Sequence, residues 1–99
     1  MSNILTTAEV ASAINVDSDY PVADLEALAV LATSFILQKT GYDFSQDNPI
    51  HPLAVSCAKA YVRQVHYGAS EFSKEHDYSF GITSLLEDLK DIVRQKEVG

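Results

Sequence analysis

Positive charge is what this chain of 99 residues has least of: seven lysines and arginines stand against fourteen aspartates and glutamates. The resulting net charge of -7 and isoelectric point near 4.6 argue against a platform for nucleic-acid phosphates or an anionic membrane. A single cysteine, Cys57, excludes an internal disulfide framework and makes a reducing compartment the expectation. Tryptophan is absent, prolines number three and glycines four, so helix breakers are scarce. The glycines stand alone at positions 41, 68, 81 and 99, which leaves no phosphate-cradling loop or dinucleotide fingerprint. The opening MSNILTTAEV has no basic stretch leading into an apolar one, so no signal peptide is expected. No apolar run approaches the roughly twenty residues that a membrane span needs.

What the chain does have is aliphatic surface. Hydrophobic residues make up 46% and charged ones 21%, a balance that folds rather than stays disordered. One small domain is expected, burying about two-thirds of its unfolded surface. Thr6 and Glu9 have capping-box spacing, with Leu5 and Val10 placed as a hydrophobic staple, and predict a first helix over Thr7 to Ile14. The following NVDSDY is a turn of Asx and Ser residues. Pro21 at a first turn, Asp24 and Glu26 near the start, Lys39 near the end and Gly41 as the stop predict a second helix over Pro21 to Thr40.

Within that helix, Ala27 to Leu37 holds nine apolar residues in eleven and no charge. Leu28, Leu31, Ala32 and Phe35 share one face, while Val30 and Leu37 point well away from it at about 100° per residue. Two arrangements accommodate this: a central helix wrapped by its own chain, or a helix whose second side is covered by another copy. A polar loop, residues 42–51, leads to a third helix from Pro52 to Tyr67, stopped by Gly68. Its inner face reads Leu53, Ala54, Cys57, Ala58, Tyr61, Val62 and Val65; its outer face reads Ser56, Lys59, Arg63 and His66. Residues 69–81 lack periodicity and read as an irregular connector, with an extended piece around Tyr78–Phe80. Ser84 and Glu87 then signal a last helix striped by Leu85, Leu86, Leu89, Ile92 and Val93. The expected fold is therefore all-α, a single domain over 1–99. Residues 1–68 form a three-helix core, 69–81 a connector, and 82–99 a C-terminal helix able to dock on a neighbour.

Candidate chemistry is sparse. Cys57 lies on the apolar stripe and His66, nine positions later, projects from the opposite side, so a buried structural cysteine is expected. No two of His51, His66 and His76 have zinc-motif spacing. His76 with Glu71, Glu75 and Asp77 is a conceivable metal cluster, against which stands a solvated charged loop. The acids of the last helix form its polar side, with no concave surroundings in prospect. Neither catalysis, a metal nor a cofactor is expected.

The order of these signals resembles a known family. ILTTAEVASAINVDSDY, DLEALAVLATSFILQKTGYDF and HPLAVSCAKAYVRQVHYG are similar to the head–tail connector, or head-completion adaptor, proteins of tailed double-stranded-DNA bacteriophages and related prophages. The shared pattern is an L-T-x-x-E-(V/L) helix with an acidic turn, then a long helix ending in Thr40-Gly41-Tyr42. A proline-started helix with Ala58, Tyr61, His66 and Tyr67 follows, and then the glycine-to-leucine segment FGITSLLEDL. The resemblance covers nearly the whole chain. It implies a structural virion protein and not an enzyme: a ring, dodecameric by that resemblance, bound beneath the portal protein at the virion neck. Such a ring extends the DNA channel without sequence-specific binding and receives the next neck or tail-completion protein. Subunits would be monomers in the host cytoplasm until the portal templates the ring. Under this expectation Val30, Leu37, Leu85, Leu89, Ile92 and Val93 are interface candidates, and Glu87, Asp88 and Asp91 are candidate channel-facing acids. A small helical binding or regulatory module, and a metal-dependent enzyme built on His76, are the alternatives.

Overall fold

Local capping sets the first helix. Thr6 Oγ1 accepts from the Glu9 N–H at 3.1 Å and the Glu9 carboxylate accepts from the Thr6 N–H at 2.8 Å, so the reciprocal box is complete and α1 runs Thr7–Ile14. It ends on Asn15, whose φ of 60° is left-handed. The Asn15 N–H reaches Ser12 O at 3.3 Å and the Val16 N–H reaches Ala11 O at 3.1 Å, which together make a Schellman turn. The computed structural model describes residues 3–17, 19–71 and 80–98, with 67–71, 80, 81, 97 and 98 by backbone alone.

α2 spans Val22–Thr40, a short 3-10 turn spans Phe44–Gln46, α3 spans Pro52–Glu71 and α4 spans Phe80–Val98. The fold is all-α, with no strand among the described residues. Pro21 caps α2 rather than entering it, its carbonyl accepting from the Asp24 and Leu25 amides. Gly41, at φ 78°, takes the left-handed position that closes α2. His51 caps α3 by accepting from the Leu53 N–H through Nδ1 at 3.1 Å.

Two helix boundaries depart from the sequence expectation. α3 does not stop at Gly68 but continues to Glu71, since a helical glycine costs only about 1 kcal/mol relative to alanine. α4 begins at Phe80, one turn ahead of Ser84, which therefore lies inside the helix and is exposed rather than capping it. The reason is Ile82: it is fully buried, and a helix started at Ser84 would leave it outside. The extended piece expected around Tyr78–Phe80 falls mostly on residues outside those described, and Phe80 itself is helical.

α3 packs against α1, α2 and α4, and α2 also touches α1, α4 and the 3-10 turn. Small residues (Ala29 and Ala32 of α2, Ala54, Cys57 and Ala58 of α3) occupy the buried sides and let helix axes come close. Phe35 stacks on Tyr61 with ring centroids 4.1 Å apart. The segment before α1 is fastened to α2: the Ile4 N–H donates to Thr33 Oγ1 at 3.0 Å, and that hydroxyl donates to Ala29 O.

α4 is part of this same core. Ile82, Leu86, Leu89 and Val93 are buried, and Leu85 and Ile92 pack against the cluster half-buried. Its stripe packs against α2 and α3 of its own chain, so the buried Leu89 and Val93 are not open to a neighbour. In the last turn of α4, Lys96 lies 5.0 Å from the Tyr42 ring centroid and 3.8 Å from Asp47, whose carboxylate accepts from the Tyr42 hydroxyl at 2.6 Å.

Candidate interaction surface

The exposed surface with most to explain is the outer side of α2. The core takes Leu25, Ala29, Ala32, Phe35 and Ile36 from this helix and half of Leu28. At about 100° per residue these fall within one arc of the helix. Val30, Leu31 and Leu37 are left 48%, 47% and 42% exposed. Between and beside them stand Ala23, Ala27 and Ser34, also exposed, and no charged residue occurs from Ala27 to Gln38. The molecule is a slab with extents of 45 × 32 × 17 Å.

Of the interface candidates, Val30 and Leu37 thus lie on one open face, whereas Leu85, Leu89, Ile92 and Val93 lie inward and elsewhere. Leu31, grouped by spacing with Leu28, Ala32 and Phe35, belongs to the open face, because the alanines at 29 and 32 take the crossing positions that a leucine would hold apart. Val65, expected inside, is 40% exposed toward the end of α3. The acids Glu87, Asp88 and Asp91 are exposed on α4, Glu87 facing Lys90 at 3.6 Å and Asp91 paired with Arg94. Such exposed pairs contribute little to stability but cancel two of the three negative charges locally.

The remaining titratable groups serve structure. Cys57 is fully buried, and burial pushes its thiol up to about 11, far from the thiolate that nucleophilic chemistry needs. His66 meets the Tyr20 ring edge-on at 5.9 Å, while His51 caps α3. Asp43 is held below the ordinary aspartate range, chiefly by the hydrogen bond from Ser45 Oγ. Tyr42 is raised by its hydrogen bond to Asp47. His76, Glu75 and Asp77 lie outside the described residues, as does the Glu71 side chain; among the described residues no three His, Cys, Asp or Glu groups converge on a metal position.

Sequence reasoning missed the loop after α2. Phe44 is fully buried there, and Asp43 accepts from the Ser45 N–H in an Asx turn that starts the 3-10 segment. An aromatic directly after an aspartate, two residues beyond a helix-ending glycine, was the available signal. Among described helices none is long and apolar enough to cross a membrane. No family model, no curated protein and no solved structure matches this chain.

Proposed function

We propose that the chain is a structural virion protein, a ring-forming head–tail connector of a tailed bacteriophage or prophage. It sits beneath the portal at the virion neck, extends the DNA channel and receives the next neck or tail-completion component. The observation that carries this is the open, charge-free side of α2, where Val30, Leu31 and Leu37 stay in solvent while the opposite side of the helix is core. A contiguous apolar helix face on a small acidic chain is a surface for assembly rather than for catalysis. In a head-to-tail contact whose rotation closes, that face meets a different surface of the next copy and generates a ring. A charge of -7 per copy makes such a ring strongly negative, so DNA passes without adhering. Glu87, Asp88 and Asp91 are the acids we assign to the channel side; charge reversal at all three that left DNA retention and ejection unchanged would remove them from it.

The decisive test combines the protein with its portal and images the mixture by electron microscopy. Wild-type protein is expected to add a ring to the portal. The Val30→Ser, Leu31→Ser, Leu37→Ser triple variant is expected to keep its helical circular dichroism and lose the ring. A wild-type protein that ignores the portal, or a triple variant that still forms rings on it, refutes the assignment.

A further inference from the structure

A hollow of about 470 Å³ opens where α1, residues 15–17 and 19–20, and the first turn of α2 meet. Ala8, Ala11, Val16, Tyr20, Val22 and Leu25 line it, and Thr7, Ser12 and Asp17 supply the polar part of its wall. The volume falls in the roughly 300–1,000 Å³ range of ligand clefts, but the hollow is shallow and open to solvent over most of its face. That shape suits one or two large side chains from a protein segment better than an engulfed small molecule. Val22, 58% exposed, is the most solvent-exposed large aliphatic side chain given for this fold, and it stands at the hollow.

Contacts within the chain hold the walls of the hollow in place. The Schellman turn brings Val16 back beside Ala11, the Tyr20 N–H bonds to Asp17 O at 3.2 Å, and the Tyr20 ring is held edge-on by His66. The Asp17 carboxylate accepts from the Asp19 N–H at 3.1 Å, which fixes both acids at the same turn. An incoming segment therefore meets little ordering cost on this side.

Charge says what the occupant is. Residues 1–38 contain Glu9, Asp17, Asp19, Asp24 and Glu26 and no lysine or arginine; the first base in the chain is Lys39. The elements that make the hollow are thus uniformly acidic around an apolar lining. We infer that this hollow docks a segment of another protein that presents a large apolar side chain flanked by lysine or arginine. The apolar side chain displaces water from Ala11, Val16 and Val22, and the flanking base faces Asp17 and Asp19, which raises the encounter rate and sets orientation. The inference stands on the hollow and the charge distribution and is independent of the virion assignment, since any cationic apolar partner would use it.

The test titrates isotope-labelled full-length protein at low salt with a short synthetic amphipathic leucine–lysine peptide, with leucine–glutamate and serine–lysine peptides alongside. Shift changes are expected to cluster on Ala8, Ala11, Val16 and Val22, with the leucine–glutamate peptide inert and the serine–lysine peptide about tenfold weaker. Ala8→Tyr, which fills the hollow from an exposed position, and Val22→Ser are each expected to weaken binding about five- to tenfold with unchanged melting. Asp17→Asn, which keeps the acceptor for the Asp19 N–H, is expected to weaken it about two- to threefold, an effect that vanishes at high salt. Absence of binding, shifts centred on Val30, Leu31 and Leu37, equal binding of the serine–lysine peptide, or indifference to Ala8→Tyr would each overturn the inference.

Discussion

α2 and α4 are both nineteen residues long and both rich in leucine, isoleucine and valine, yet they dispose of that surface differently. In α4, Ile82, Leu85, Leu86, Leu89, Ile92 and Val93 fall within an arc of about 120°, and Glu87, Asp88, Lys90, Asp91 and Arg94 fill the remainder. The stripe faces the core, with Leu85 and Ile92 half-buried at its edges, and the charges face water. In α2 the large aliphatics recur all the way round and no charge intervenes between Ala27 and Gln38, so whichever side faces the core, another stays greasy. Two helices of equal length, each with seven leucine, isoleucine and valine residues, thus differ in how those residues are spaced and in how many charges stand between them. The amount of apolar surface on a helix does not mark an interface; its distribution around the axis does.

That contrast can be broken most severely by deleting α4. Truncation after Gly81 removes Ile82, Leu86, Leu89 and Val93 from the shared core, and the remaining chain is expected to lose its cooperative thermal transition by circular dichroism. A truncated chain that still melted cooperatively would show that α4 is an appendage after all. Next in size, Leu89→Ala should cost about 2–5 kcal/mol in urea unfolding, as expected for a fully buried leucine.

The helix between them offers a pH-dependent probe. α3 packs on both α2 and α4, and its buried Cys57 has a thiol raised to about 11. A raised thiol means that the folded state holds its proton more tightly, so this contribution is complete below the ordinary thiol value of about 8.5 and is lost as pH climbs toward 11. Cys57→Ala should flatten the alkaline part of the stability profile, and the wild-type thiol should react with a disulfide reagent only as fast as the protein unfolds. Rapid labelling of folded protein would place a gap in the α2–α3–α4 packing. Smallest of all, Val30→Ser, Leu31→Ser and Leu37→Ser should each move stability by no more than about 0.5 kcal/mol, measured by the same urea titration. A large loss there would mean that the outer side of α2 contributes to the fold itself.

The parts of this fold written in local chemistry were legible before any coordinates. α1 begins and ends where Thr6, Glu9 and Ile14 place it, because a capping box needs only residues three apart. α2 ends at Gly41 for a similarly local reason. Boundaries decided by burial were not legible. Ser84 and Glu87 have capping-box spacing, but Ile82 two residues earlier has to be covered, and that demand is tertiary. Leu31 went to the open side because helix crossings select small residues over greasy ones, a preference that spacing of large aliphatics does not reveal, and Val65, though in register with the inner face of α3, lies toward the end of that helix. For the candidate surface, Val30 and Leu37 were readable from their angular offset, whereas the hollow beside α1 depends on a turn that folds Val16 back onto Ala11.

The single hydroxyl of Thr33 ties a residue 29 positions earlier to the middle of α2. Deuterium uptake at the Ile4 amide therefore waits until the leading arm peels away from that hydroxyl. That one amide is a gauge of whether the first thirteen or so residues breathe separately, at a free energy below that of whole-molecule opening, or only when everything comes apart.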